Sequence, residues 1–539
     1  MSVMTFLPYG ADGIIIRVET DIRRGIPGVD ISGLAEGAVR EARDRVRVAF
    51  RNSGFSFPVD RILINLAPAG LKKDGAALDL PIALSIMTAA GIAPLSGNLL
   101  VLGELELSGR IRPVRGVLAA IAAGLAEGIT EFIVPAENAG EAAILVSAGA
   151  KFTAVENLQS AVHALVIKEE KGTLPASIET HPQTGEQSGL SNNLDSKYPG
   201  NSSNGDFSDV HGQAIYKRAL EIAAAGGHNV LVFGPPGAGK TMLAKRLPSI
   251  MSPLTPCEAV EVTRLHSLAG PRNGAFIDRL ITTPPLRAPH HTASAEGILG
   301  GGRIPRPGEI SLAHFGVLFL DEAPEFRINV LQSLREPLED KVISIVRADG
   351  PVLLPAEFQL ILTANACRCG RLGMRETDPN ASGSHTCLCS SNEINRYWRK
   401  IGGALLDRIE IRTAIFPPKI EEMGRKNLNL EEKSIDIACR VKKAIEIQQH
   451  RFKGMGIRRN ALLPAGLASA LCPMSEKAEN AFHTAIAKLG LSGRAYHGIL
   501  RVARTIADLE SRDIIETEHI LEAVQHRRLG EDPWEILSL

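Results

Sequence analysis

Asn229-Val-Leu-Val-Phe-Gly-Pro-Pro-Gly-Ala-Gly-Lys-Thr-Met-Leu-Ala-Lys-Arg-Leu247 decides how this chain folds around its chemistry. The apolar run up to Phe233 reads as a buried strand, and Met242 to Leu247 is a good helix former. Between them Gly234, Pro235, Pro236, Gly237, Ala238, Gly239, Lys240 and Thr241 have the spacing G-x-x-x-x-G-K-T of a phosphate-binding loop. Glycines let the backbone wrap phosphates with its N–H groups, and the start of the helix adds a favourable partial positive charge. Lys240 is placed to reach β- and γ-phosphates and the Thr241 hydroxyl to ligate magnesium, so ATP and magnesium are the expected cofactors.

Downstream, Gly316-Val-Leu-Phe-Leu-Asp-Glu322 is an apolar run ending in two carboxylates. It predicts a second buried strand with Asp321 and Glu322 at its C-terminal end, where ligands sit in open α/β sheets. Asp321 would hold the magnesium and Glu322 would polarise the attacking water, because a carboxylate engaged with metal has its lone pairs occupied.

The 539 residues carry 60 Lys plus Arg and 60 Asp plus Glu, for a net charge of zero. A polyanionic partner must therefore be met by a local basic patch and not by the molecule as a whole. The first residues lack the basic start and apolar core of a secretory signal. The stretch from Leu78 to Pro94 is broken by Asp79, Pro81 and Gly91 and does not read as a membrane span. A cytoplasmic protein without a membrane partner is expected. Of the 7 cysteines, Cys257, Cys439 and Cys472 stand alone and read as inert packing residues. Cys367-Arg-Cys369 and Cys387-Leu-Cys389 bracket a polar loop, and four thiolates suit a structural zinc. His385 is an alternative ligand, and free thiols are the other reading of the same spacing.

Residues 1–167 alternate strand-like runs (13–18, 61–66, 99–103 and 131–135) with Ala-rich helical stretches, which predicts an α/β domain. Residues 168–205 are rich in Ser, Asn, Gly, Gln and Thr and read as a flexible linker. A nucleotide-binding α/β core follows over 206–418, opening with a helix at 211–225. A C-terminal helical segment covers 419–539, with 3.6-residue apolar periodicity at 430–449, 462–471, 474–489, 493–511 and 517–526.

This order of phosphate loop, acidic strand end, polar strand end and helical lid resembles the AAA+ ATPases. Within them the chain is similar to the magnesium-chelatase-like branch, and specifically to the YifB/ComM family. The stretches that carry the likeness are HGQAIYKRALEIAAAGGHNVLVFGPPGAGKT, LRAPHHTASAEGILGGGRIPRPGEISLAHFGVLFLDEAPEF and LLDRIEI. The resemblance implies an AAA+ αβα sandwich core. It makes Asn365, at the end of Gln359-Leu-Ile-Leu-Thr363, the sensor that orients the lytic water. Arg408 becomes the arginine finger for a neighbouring subunit's γ-phosphate, in place of a salt bridge to Asp407 or Glu410. Arg494 becomes the lid sensor for the same phosphate. A finger acting across an interface implies a ring, and the family implies a hexamer. Two insertions would face its channel, the loop from Pro289 to Gly302 and the hairpin Val342–Leu354. His290 and His291 read as loop residues and not as metal ligands. Arg303, Lys341 and Arg347 are candidate contacts to nucleic-acid phosphates.

The N-terminal Lys73-Asp-Gly-Ala-Ala77 resembles the Lon-type protease segment in which a nucleophilic serine follows K-D-G-P. Ala77 occupies the serine's place, and Leu118 that of the lysine base. A Ser-Lys dyad needs both groups, so the resemblance implies a Lon-like, ribosomal S5 domain 2-type fold without peptidase activity. Arg110, Arg112 and Arg115 form a basic cluster suited to DNA contact. The expected function is that of an ATP-hydrolysing ring motor on single-stranded or branched DNA, for helicase or branch migration in recombination or natural transformation. The alternatives are a motor driving magnesium insertion into a porphyrin, against which the Lon-like domain argues, and an ATP-dependent protease, against which Ala77 and Leu118 argue.

Overall fold

The computed structural model describes residues 2–34, 37–73, 75–95, 97–175, 205–271, 276–347, 350–372, 387–416 and 431–528. Most of the expected linker, His385 and the Ala348-Asp349 turn lie outside them.

The N-terminal domain is a seven-stranded sheet in the order Gly28–Ser32, Arg61–Ala67, Ile14–Arg23, Ser2–Leu7, Leu100–Val101, Glu131–Pro135, Lys151–Val155. The long strand Ile14–Arg23 runs antiparallel to both neighbours, and every other pairing is parallel. The apolar stretch after Leu78 is the helix Asp79–Ala89, whose residues are buried through Met87. A helix apolar on all sides must be enclosed, and its one acidic residue is met by Arg45, which donates to Asp79 at 2.8 and 2.9 Å. The domain extends further than its composition suggests. The helix Leu158–Lys171 runs past residue 167, Lys168 is buried against Glu131 at 2.7 Å, and Leu174 packs into the core. An amphipathic helix end with a buried ion pair was hidden by the polar residues around it.

The second domain is a five-stranded sheet, all parallel, in the order Leu286–Arg287, Val317–Leu320, Gln359–Ala364, Val230–Phe233, Ile411–Ala414. Its three central strands are buried along their whole length, as parallel strands covered on both faces should be. The helix Ala214–Gly226 precedes the phosphate loop and is closed by Gly227 in the left-handed conformation. Helices Ser434–Arg451, Ala465–Leu471, Glu476–Leu489, Gly493–Leu509 and Thr517–Arg528 form the C-terminal part. Ile437, Val441, Ile499, Val502 and Ile506 share one apolar cluster with Tyr216, Leu220 and Val230, so lid and core are packed together.

The N-terminal domain also packs directly on the second domain. Leu268 and Val260, on the helix Pro256–Ala269, enter its apolar cluster beside Leu118 and Val114. The Gly116 N–H donates to Ser267 O at 3.2 Å, and Arg264 pairs with Asp12 at 2.9 Å. Seen from sequence, the two are joined only by a polar tether; in space they share an apolar contact flanked by an ion pair. Among the described residues no helix is long and apolar enough to cross a membrane.

Candidate nucleotide-binding site

The phosphate loop leaves the strand Val230–Phe233 through three glycines with positive φ: Gly234 (157°), Gly237 (79°) and Gly239 (88°). At Gly234 a Cβ would lie 2.1 Å from Ile415 O, whereas at Gly237 and Gly239 it would meet nothing within 4 Å. The first glycine permits close packing of the loop on the sheet, and the other two leave an open concavity for phosphates. Lys240 starts the helix Lys240–Ala244, and its Nζ donates to Gly234 O (2.6 Å), Pro235 O (2.9 Å) and Asn365 Oδ1 (2.9 Å). Burial pushes its pKa down to about 8, against the pull of the Asp321 and Glu322 carboxylates.

Thr241 Oγ1 donates to Asp321 Oδ2 at 2.9 Å. Two hard oxygen donors meeting on the phosphate side of the loop fit magnesium, which takes one or two protein oxygens and completes its shell with phosphate and water. The other carboxylate oxygen accepts from Thr363 Oγ1 at 2.5 Å, and the same hydroxyl accepts the Glu322 N–H at 2.8 Å. Thr363 therefore aims both acidic residues. Glu322 itself has φ 53°, left-handed for a non-glycine residue, at a cost of about 1–2 kcal/mol. Its side chain is exposed just past the strand end. Asn365 is held from behind, its N–H donating to the Tyr397 hydroxyl at 3.3 Å. Lys240, Thr241, Asp321, Glu322 and Asn365 thus gather at the C-terminal ends of three neighbouring strands.

Arg408 and Arg494 lie elsewhere. Asn229 Nδ2 donates to Arg408 O at 3.0 Å, which places Arg408 at the N-terminal end of the strand that carries the phosphate loop at its other end. Four strand residues put roughly 13 Å between those two ends. Arg408 pairs with Glu339 at 2.8 Å, not with Asp407, which holds Arg527, nor with Glu410, which accepts the Asn229 N–H. Arg494, at the start of the helix Gly493–Leu509, binds the same Glu339 oxygen. The two arginines come from core and lid, share one carboxylate and face away from their own phosphate loop.

The family described as magnesium chelatase, subunit ChlI, matches residues 206–423, its C-terminal family matches 431–527, and subunit ChlI of Mg-chelatase matches 18–138. The chain is 38% identical over 523 residues to competence protein ComM of Haemophilus influenzae, covering 96% of each. It is 37% identical over 532 residues to the uncharacterized protein YifB of Escherichia coli, covering 98% of this chain and 97% of the relative. The chain belongs to the ComM/YifB family. In the N-terminal region it is also similar to Lon protease 2 of Bacillus subtilis, at 29% identity over 153 residues, 25% of this chain and 26% of that one. ComM/YifB membership makes it an AAA+-type motor of the magnesium-chelatase-like branch.

In this ComM/YifB chain the sulfurs of Cys367, Cys369, Cys387 and Cys389 all lie within 4.8 Å of one another, with Cys367 and Cys369 3.2 Å apart and Cys387 3.6 and 3.5 Å from them. Zinc–sulfur bonds of 2.3 Å in a tetrahedron require sulfurs about 3.8 Å apart, so the four thiols fit that ion. A Cβ on Gly370 would stand 3.0 Å from Pro236, which seats the cysteine loop against the phosphate loop. Cys472 is buried, as a packing residue should be, whereas Cys257 and Cys439 are exposed.

The hairpin forms from Val342–Arg347 and Gly350–Pro355. Arg347 donates to the carbonyls of Gly302 and Arg303, tying it to the first insertion, and Lys341 donates to Leu338 O at 2.8 Å inside the cleft beside Arg408. Lys341 is thus placed at the foot of the hairpin and not at its tip. His290 stacks on His291 with ring centres 4.1 Å apart. Two members of the expected basic cluster carry ion pairs, Arg110 with Glu137 at 3.0 Å and Arg112 with Glu106 at 2.7 Å. Leu118 is fully buried. Thr363, Tyr397 and Glu339 were missed from sequence. Thr363 was findable, two positions before Asn365 on the strand next to Asp321; Glu339 was not, because its partners come from remote segments.

Proposed function

We propose that the chain is an ATP-hydrolysing ring motor acting on single-stranded or branched DNA, as a helicase or branch-migration enzyme in recombination or natural transformation. One observation carries the ring: the nucleotide cradle and the paired arginines occupy opposite ends of the same sheet. A subunit then completes its neighbour's site, with Arg408 as finger and Arg494 as lid sensor, in a hexamer in the cytoplasm. Such fingers contribute about 10³–10⁵ in rate, or roughly 4–7 kcal/mol of barrier. The likeness to a competence protein over nearly the whole chain supports DNA as the track. Lys240 would hold the phosphates, Thr241 and Asp321 the magnesium. Glu322 would take a proton from water oriented by Asn365. Zinc bound by the four cysteines would fix the loop against Pro236. The Lon-like domain would serve assembly or DNA contact.

ATPase rates of the full chain without DNA and with single-stranded, duplex and forked DNA test this reading. Stimulation by forked or single-stranded DNA, with strand displacement, supports it. Rates indifferent to every DNA overturn the DNA assignment and favour the chelatase-type motor.

A further inference from the structure

Glu339 ends the short helix Arg335–Asp340 and is the meeting point of two cations that the chain delivers from separate domains. Its Oε1 lies 2.8 Å from Arg408 and in closer contact with Arg494. Glu339 is half exposed, whereas the Arg408 side chain is only 10% exposed, so the finger is held inside the cleft with its counter-ion at the rim. Arg408 Nη1 also donates to Ala404 O, which fixes the guanidinium plane. Around this pair lies a cavity of about 750 Å³ between core and lid, whose walls carry more cationic side chains than carboxylates. Arg501, two helical turns beyond Arg494, lines the same cavity, where its Nε makes no hydrogen bond and its charge acts on the buried Glu410 carboxylate. Seven cationic side chains line the cleft against five carboxylates, a surplus that suits a further anion.

We infer that Glu339 is a placeholder anion: it occupies, in the free subunit, the position that a neighbour's nucleotide phosphate takes between Arg408 and Arg494, and must be displaced for the ring to close on ATP. The inference rests on the trans reading of the two arginines. In the free subunit the carboxylate keeps two like charges together and pre-aimed. At the interface a γ-phosphate, with more charge and more oxygens, outcompetes it. ADP brings no γ-phosphate, so the arginines stay on Glu339. Glu339 is thus a positioning residue whose displacement costs affinity between subunits only when the neighbour carries triphosphate.

The test uses the full chain carrying Glu322→Gln to retain ATP, with assembly followed by sedimentation velocity over a range of protein concentrations. Adding Glu339→Gln should lower the concentration for half-assembly about tenfold with ATP, since two ion pairs no longer have to be broken. With ADP the same change should leave assembly unaltered, and Glu339→Asp should stay near the parent. In a background of Arg408→Ala and Arg494→Ala the ATP-specific gain should vanish. No gain with ATP, an equal gain with ADP, or a gain that survives without the arginines would overturn the inference. Hydrolysis by mixed rings of Arg408→Ala and Lys240→Ala subunits tests the underlying trans reading independently of Glu339.

Discussion

Two lysines in this chain follow loops and lose their water, and their surroundings separate function from architecture. Lys73, in the N-terminal domain, is fully buried and donates to the carbonyls of Gly33, Pro68 and Leu71. Lys240 also donates to three oxygens, of Gly234, Pro235 and Asn365. Burial lowers the pKa of both. The difference lies in what surrounds the ammonium. Lys240 has Asp321 and Glu322 within electrostatic reach and an open glycine concavity in front of it, so incoming phosphate can replace its partners. Lys73 has carbonyls alone and no accessible surface. A buried lysine marks a binding site only where its partners can be exchanged.

The sharpest test exchanges each lysine. Lys240→Ala should abolish ATP binding, measured by calorimetry, and with it all turnover. Lys73→Met should leave ATP binding in place and destabilise the N-terminal domain by about 1–2 kcal/mol, because three partly buried carbonyls lose their donor. Loss of ATP binding in the Lys73 variant would break the contrast.

Next in size, Glu322→Gln should bind ATP and assemble while hydrolysis falls about 10²- to 10⁴-fold. Near-normal turnover would remove Glu322 as the base. At the other end of the sheet, Arg408→Ala subunits mixed with Lys240→Ala subunits should recover part of the hydrolysis that each lacks alone. No recovery in demonstrably mixed rings would place the finger elsewhere.

Smaller effects should follow at the flank of the pocket. Purified protein should hold close to one zinc per subunit, lost on mutating Cys367 and Cys369 or under mild acid, as protons compete for thiolates. Through Gly370 and Pro236 this should lower turnover more than ATP binding; freely titratable thiols with no metal would refute it. Last, Lys240 has a pKa near 8 without nucleotide, and bound phosphate must raise it. ATP binding should therefore take up protons above about pH 8 and none near pH 6.5, and affinity should fall as pH rises through 8. Calorimetry in buffers of different ionisation enthalpy reads this directly.

The phosphate loop and acidic strand end were legible because their chemistry is local: glycine at positive φ, a lysine at a helix start and carboxylates at a strand end are each written in a few adjacent residues. The C-terminal helices were legible from their 3.6-residue period. Strands Ser2–Leu7, Gly28–Ser32 and Lys151–Val155 were missed, since polar residues (Thr5, Asp30, Thr153) interrupt each apolar run, and Gly28–Ser32 is an edge strand that alternates only between half-buried and exposed positions. Docking of the N-terminal domain was also hidden. It depends on single residues such as Leu268 and Ser267, whose partners lie more than a hundred positions away.

The separation of Lys240 and Arg408 along one strand also bears on stoichiometry. Donor and acceptor faces at opposite ends would pair head to tail, a heterologous interface that builds a ring where its rotation closes. On the trans reading, an open row of n subunits contains n − 1 finished sites, and closure alone makes the last one. Each incomplete assembly then has one end where nucleotide can bind but cannot be turned over.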